Sequence, residues 1–395
     1  MTKDRNSKIY LEGLLGLLSA FGPFVMDMYL AALPRIAEYY AASPSQVQLS
    51  LATCTVGLAI GQLLFGTVRD SLGRKTPLLF SLLLYVLSAI GCIFAPSIGL
   101  FVAIRFFQGL SAAGGVVISR SIVADCYSGS ALAKMFGIIG LINGVSTVAS
   151  PMFGGFVIEA AGWKSVFRLL LGIGAAMTIG TLFLHESLPR ESRIKLNSND
   201  LITGIKAVVR NRKYTKTTVE YGCIMAMIFI NLASGPFIMD GYGLSAEGIS
   251  IVFGVNAIAL GVTAALAPKF GSMEKVISFS DTGMFVLSVI LAIALFLRLD
   301  FWIYETLVFM IYIFIGALCT ATTTVAMDSE RKNAGIASAF FGAVGYIAGG
   351  IISPFVGIGD IHITASILFV LVSALAFSIS HLGNTLSVRQ FECRK

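Results

Sequence analysis

Long runs of hydrophobic residues, separated by short polar segments, recur along almost the whole chain. A helix needs about 20 consecutive apolar residues to cross the hydrocarbon core of a bilayer. Runs of this length predict twelve membrane-spanning helices. Their approximate ranges are 10–33, 47–67, 76–94, 98–119, 134–158, 164–184, 217–239, 246–267, 276–297, 302–326, 334–357 and 363–384. The pattern therefore predicts an all-α integral membrane protein.

A polar segment near the middle of the chain divides these predicted helices six and six. Charged residues, Asn and Ser become frequent over 188–215, and the fifth and eleventh spans on either side carry the same glycine pattern at one constant spacing. The matching residues are Phe136, Gly137, Gly140 and Gly144 in the fifth span, and Phe341, Gly342, Gly345 and Gly349 in the eleventh. The repeat predicts two equivalent six-helix halves, 1–187 and 216–395, joined by a linker at 188–215.

Composition and charge support a membrane protein and give its orientation. Charged residues make up 12% of the chain, against roughly 25% in soluble proteins. With the amino terminus taken as cytoplasmic, the inner segments hold about 23 of the 28 lysines and arginines. We therefore expect both termini in the cytoplasm. The net charge of +7 then reflects membrane topology, and we expect no nucleic-acid partner.

One cation lies inside a predicted span. Arg105 is seven residues into the fourth span, and Asp27 is six residues from the end of the first, so both should lie about 9 to 10 Å below the same membrane face. A buried charge at this depth is costly and usually functional. We interpret Asp27 and Arg105 as a proton-coupling pair. The alternatives are a purely structural ion pair, or an Arg105 side chain that reaches the outer surface along its own stem.

The other chemistry-bearing residues give weaker signals. The cysteines have no metal-binding or redox spacing, and no serine triad or phosphate-binding loop is present, so we predict neither an enzyme nor a metal site. We place Glu12, Glu220 and Asp281 near the inner ends of their spans and interpret them as interfacial.

Four segments carry a resemblance to a known family. They are Gly66-Thr67-Val68-Arg69-Asp70-Ser71-Leu72-Gly73-Arg74-Lys75, Arg105-Phe106-Phe107-Gln108-Gly109, Ala149-Ser150-Pro151-Met152-Phe153-Gly154-Gly155, and Asp27-Met28-Tyr29-Leu30 before Leu33-Pro34. The first resembles the loop signature G-x-x-x-D-R-x-G-R-K of major facilitator transporters. The second resembles the R-x-x-Q-G segment of that family, and the third resembles the proline-glycine motif of its drug/proton antiporters. The fourth resembles the start of the bicyclomycin/chloramphenicol-resistance (Bcr/CflA) subfamily.

The resemblance implies the major facilitator fold, twelve transmembrane helices in two six-helix halves, in a bacterial cytoplasmic membrane. It also implies export of small apolar or cationic compounds, such as phenicol or bicyclomycin antibiotics, in exchange for protons. The proton gradient would be the energy source, with no cofactor. We expect a monomer whose partners are small-molecule substrates, protons and lipids. Two alternatives remain: an exporter of an endogenous sugar or amino acid, and a transporter-like sensor without flux.

The same resemblance assigns roles to individual residues. The expected cytoplasmic gate comprises Gly66, Asp70, Gly73, Arg74 and Lys75, and the antiporter motif comprises Gly140, Gly144, Pro151, Gly154 and Gly155. The expected substrate cavity includes Tyr29, Gln108, Asn143 and Asn231. Ser71 stands where the loop signature has an arginine, so we expect a weaker gate.

Overall fold

The computed structural model describes residues 8–127, 129–189, 193, 198–330 and 334–392. Within these ranges the chain is all-helical, with fifteen α-helices and two short 3-10 turns. The helices are α1 Lys8–Ser19, α2 Phe21–Asp27, α3 Leu33–Tyr40, α4 Pro44–Leu72, α5 Lys75–Phe94, α6 Ile98–Cys126, α7 Gly129–Ala161, α8 Lys164–Phe183, α9 Ser198–Val209, α10 Arg212–Gly241, α11 Ala246–Leu266, α12 Met273–Phe296, α13 Phe301–Ser329, α14 Ala334–Val356 and α15 Ile361–Glu392.

Most of the predicted spans correspond to these helices. Among the described residues, eleven helical segments are long and apolar enough to cross a membrane. The predicted span at 134–158 lies within α7, and many side chains of that helix are outside the described part of the chain. Large apolar side chains are exposed on many helices, for example Phe80 at 64%, Phe94 at 76% and Trp302 at 72%. Such surfaces suit lipid rather than water, as expected for a multi-pass membrane protein.

Several helices begin at a capping side chain that the sequence provides. Ser43 and Gln46 form a capping box at the start of α4, in which each side chain accepts a hydrogen bond from the backbone N–H of the other residue. Asn211 accepts from two N–H groups at the start of α10, and Asp300 accepts from Trp302 N at the start of α13. These caps satisfy backbone donors that a helix end leaves unpaired.

The first predicted span is not one continuous helix. α2 ends at Asp27, a 3-10 turn covers Leu30–Ala32, and α3 begins at Leu33. Pro34 explains the break, because it has no N–H to donate to the carbonyl of Leu30 and its ring crowds that carbonyl. The predicted span at 10–33 lies within one apolar helical segment, Ile9–Tyr40, that is long enough to cross a membrane, and the helix is interrupted inside it. Asp27 lies at a helix end rather than inside a helix.

Contacts between Cα atoms group the chain into two compact units. The first unit comprises Met1–Ser198 with Leu244–Gly254, and the second comprises Asn199–Gly243 with Val255–Lys395. The start of α11 belongs to the first unit, and it packs closely on Gly155 of α7. A Cβ at Gly155 would overlap Ser250 Oγ and would lie 2.6 Å from the carbonyl oxygen of Ala246.

In the first unit, α4 and α6 pack backbone against backbone. A Cβ at Gly57 would overlap the carbonyl oxygen of Phe106, and one at Gly61 would overlap that of Leu110. From the other side, a Cβ at Gly109 would overlap the carbonyl oxygen of Cys54. Small residues at such spacing allow membrane helices to approach closely. The contact holds α6, and with it Arg105, at a fixed distance from α4.

Candidate functional site

Arg105 forms the centre of a buried polar cluster in the first unit. Its side chain is fully buried, at 0% exposure, so the alternative in which it reaches the outer surface is excluded for this structure. Its guanidinium donates to Gln108 Oε1 at 2.5 Å and to the carbonyl oxygen of Val25 at 3.1 Å. It also lies over the rings of Tyr29, 4.1 Å from the centroid, and Phe167, at 5.8 Å. These contacts connect α6 to α2 and to the turn that follows it.

Aromatic rings provide much of the environment of this cation. A guanidinium over an aromatic face gains roughly 2 kcal/mol or more when water is excluded, and the planar fork of arginine suits such stacking better than a lysine ammonium does. Tyr29 is itself fully buried, and its hydroxyl lies 3.3 Å from Ser50 Oγ. The structure thus brings together three predicted site residues, Arg105, Gln108 and Tyr29.

Asp27 does not form the predicted ion pair with Arg105. In the described part of the chain, no hydrogen bond or ion pair reaches the Asp27 carboxylate, and its side chain is partly exposed. The physical reason is helical geometry: Arg105 binds the carbonyl of Val25, and successive residues turn by about 100°, so Asp27 projects from a different side of α2. The proton-coupling roles of both residues stay predictions.

The antiporter motif contacts the chain directly beside Asp27. Pro151 lies inside α7, where it removes one helical hydrogen bond. One turn later, a Cβ at Gly154 would overlap the carbonyl oxygen of Met28. Glycine at position 154 therefore allows α7 to contact the backbone at the end of α2. Three further predicted residues on α7, which are Gly140, Asn143 and Gly144, lie outside the described side chains.

The expected gate residues occupy the connection between α4 and α5. Gly73 has φ +91°, a conformation that side chains other than glycine rarely adopt. Arg74 Nε donates to Asp125 Oδ2 on α6 at 2.8 Å. Glu186 caps the start of α5 by accepting from the backbone N–H of Arg74 at 2.8 Å and of Lys75 at 3.2 Å. The connection is thus bonded to α6 and to the segment after α8.

The remaining gate residues are less defined. Gly66 has open space where a Cβ would project. Asp70 lies in the last turns of α4, and its side chain is outside the described part of the chain. The gate role of Asp70 stays a prediction. Glu186, which was not predicted as a site residue, caps the start of α5.

Asn231 occupies a second buried polar cluster, inside the second unit. It is 1% exposed, and its Oδ1 accepts from the hydroxyl of Tyr304 at 3.1 Å. Its Nδ2 donates to the hydroxyl of Tyr312 at 3.2 Å. One amide therefore fixes two tyrosines of α13 against α10. Sequence reasoning identified Asn231 but neither tyrosine.

We expect Asn231→Leu to destabilise the protein by about 1–3 kcal/mol, because the buried Tyr304 hydroxyl loses its acceptor. Unfolding of the purified protein in detergent would measure the change. Adding Tyr304→Phe to Asn231→Leu removes the hydroxyl that has lost its acceptor, and this should restore part of the lost stability. Equal stability of Asn231→Leu and the parent would contradict the role assigned to this amide.

A further carboxylate within an apolar run, that of Glu305, was not predicted as a site residue. Glu305 lies inside the predicted span 302–326, and both of its carboxylate oxygens are buried with no hydrogen-bond partner among the described residues. Both polar atoms of the buried Asn256 side chain, which lies near Glu305, also make no hydrogen bond with the described residues. The sequence signal that could have identified Glu305 is a charged residue within an apolar run, the same signal that identified Asp27.

Comparison with known proteins identifies the family. The model of the Major Facilitator Superfamily matches residues 15–354. The chain is 34% identical to the uncharacterized MFS-type transporter YdgK of Bacillus subtilis, over 96% of both chains. It is 25% identical to the bicyclomycin resistance protein homolog of Haemophilus influenzae, also over 96% of both.

A solved structure supports the same fold at low sequence identity. The crystal structure of a bacterial homolog of the human lysosomal transporter Spinster matches with a TM-score of 0.76 and 16% identity. The match covers 95% of this chain and 98% of that one. The chain therefore belongs to the Major Facilitator Superfamily, and its sequence carries the motifs of the bicyclomycin/chloramphenicol-resistance type of drug/proton antiporter.

Proposed function

We propose that this protein exports small apolar or singly cationic compounds, phenicol- and bicyclomycin-like antibiotics among them, in exchange for protons. Whole-length similarity to a bicyclomycin resistance protein homolog supports the substrate class. The observation that carries the proposal is the buried Arg105 cluster beside the helix end at Asp27. A guanidinium and a carboxylate at membrane depth are costly for stability alone and are usually retained for function.

In the proposed mechanism, Asp27 exchanges protons and Arg105 positions the segment that carries it. Arg105 holds Val25 and Tyr29, which lie on either side of Asp27 in the chain. A change in charge at Asp27 therefore acts on a segment that is bonded to α6 through Arg105 and packed on α7 at Gly154. We propose that this segment rearranges during alternating access, with both termini in the cytoplasm.

Transport by the purified protein in proteoliposomes tests the proposal. Vesicles with an interior more acidic than the medium should accumulate a phenicol, bicyclomycin or a lipophilic cation, because protons leave as substrate enters. A protonophore and protein-free vesicles are the controls. The panel should include a sugar and an amino acid, since accumulation of these alone would favour a metabolite exporter. Binding of the drugs without accumulation of any compound would favour a sensor.

A further inference from the structure

Two carboxyl groups that the sequence places at the membrane interface are buried in the second unit. Glu220 on α10 is 1% exposed and Asp281 on α12 is 0% exposed, so the interfacial interpretation is wrong for both. Each residue is eight positions after the first residue of its helix, Arg212 and Met273 respectively, which corresponds to about 12 Å of helix. The two helices thus carry their carboxyl groups at matching depth.

These carboxyl groups face each other, and the Ser380 side chain lies near Asp281. Both Asp281 oxygens and Glu220 Oε1 have no partner among the described residues. The side chains of Glu220 and Asp281 are close enough to interact directly. An ionised carboxylate accepts several hydrogen bonds and has no proton to donate. Two ionised carboxylates in contact, buried and with three oxygens that accept no hydrogen bond, would therefore combine a desolvation cost with like-charge repulsion.

Two basic side chains, Lys216 and His381, face the acids, and each is hydrogen-bonded to other groups. Lys216 on α10 faces both carboxyl groups, but its Nζ donates to the carbonyl oxygen of Ser380 on α15 at 3.2 Å. His381 on α15 faces Asp281, and its ring nitrogens lie 3.0 Å from Ser278 Oγ and 2.9 Å from Ser380 Oγ.

One further titratable group faces the pair, the thiol of Cys223 on α10, which carries no positive charge. In the described parts of α13 and α14, which also pack on α10, no titratable group interacts with the two acids. One lysine ammonium and one histidine ring thus face the two carboxyl groups.

We propose that Glu220 and Asp281 share one proton and form a proton-binding site inside the second unit, separate from Asp27. A shared proton supplies the missing donor, because a protonated carboxyl donates to its ionised neighbour. It also leaves one net negative charge opposite Lys216. A metal ion suits this site less well, since hard cations take six or more oxygen ligands and here an ammonium lies beside two acids. The proposal concerns proton binding and does not depend on which compounds the protein transports.

Infrared difference spectroscopy of the purified full-length protein tests the proposal. A protonated carboxyl has a C=O stretch that an ionised carboxylate lacks. At neutral pH we expect the parent spectrum to contain the band of one protonated carboxyl that is absent from the double variant Glu220→Gln/Asp281→Asn. Glu274→Gln is the matched control, because Glu274 lies in the same unit, is largely exposed and pairs with Lys213 at 3.0 Å. This control should keep the band, and so should Asp27→Asn.

A parent-minus-double-variant spectrum with carboxylate bands alone would overturn the proposal. Loss of the whole band in Asp27→Asn would overturn it too, because the proton would then belong to Asp27. If the double variant does not fold, the single variants decide. Each single variant replaces one acid by an uncharged amide that can donate a hydrogen bond to the remaining carboxylate. That carboxylate should therefore be ionised opposite Lys216, and the band should be lost in both variants. A band kept in either single variant would show that the proton is not shared.

Discussion

Asp27→Asn should reduce gradient-driven accumulation of substrate in proteoliposomes to the background of protein-free vesicles. Asparagine matches aspartate in size but cannot exchange a proton near neutral pH. The Asp27 carboxylate makes no hydrogen bond or ion pair within the described part of the chain, so the substitution removes no contact that stabilises the fold. We therefore expect normal expression and a normal unfolding temperature. Accumulation under an imposed pH gradient, compared with the parent at equal protein density, measures the effect.

Glu38→Gln is the matched control for this variant. Glu38 lies on α3, close to Asp27 in the chain, and its side chain is exposed. The control removes a carboxylate of the same region and should leave accumulation at the parent level. Parent-level accumulation in Asp27→Asn would show that the coupling carboxylate lies elsewhere, with Glu305 and the Glu220–Asp281 pair the next candidates.

Gly154→Ala should destabilise the first unit by about 1–3 kcal/mol, the usual cost of overpacking a tight contact. The added methyl group would overlap the carbonyl oxygen of Met28, which is backbone and cannot rotate away. Either α7 or the end of α2 must then shift, and this shift acts directly beside Asp27. A change of this size corresponds to roughly 5- to 140-fold in an equilibrium constant, so transport should fall as well.

Gly172→Ala tests whether the effect belongs to the contact rather than to glycine in general. Gly172 lies on α8, and outside its own turn of helix backbone no heavy atom lies within 4 Å of the position that a Cβ would occupy, so alanine should be tolerated. Unfolding in detergent and accumulation in vesicles should be measured for both variants. Similar behaviour of Gly154→Ala and Gly172→Ala would contradict a specific role for the contact between α7 and α2.

The sequence allowed the class of fold and the position of the central arginine to be predicted, because both depend on local patterns. Apolar runs indicate membrane helices wherever they occur, and Arg105 stands out within one of them. Its partners were harder to predict. Which face of α2 meets α6 depends on the break near Pro34 and on the packing at Gly154. The rotation of α2 that results from these two features cannot be predicted from the sequence alone.

Other parts of the site depend on residues far apart in the chain. Glu186 caps α5 although it lies 112 positions after Arg74 in the chain. Glu220 and Asp281 look interfacial when each is counted from its own helix end. Their burial results from α15 packing against both α10 and α12, which no single helix pattern reveals.

The glycine contact between α4 and α6 has a mechanical consequence. Packed helices slide past one another when a layer of side chains between them changes rotamers. At Gly57, Gly61 and Gly109 no such layer exists, and backbone atoms interlock instead. The two helices should therefore move together as one rigid body. Movement within this unit should then occur at contacts that side chains form. An example is the contact of the Tyr29 and Phe167 rings with the Arg105 guanidinium.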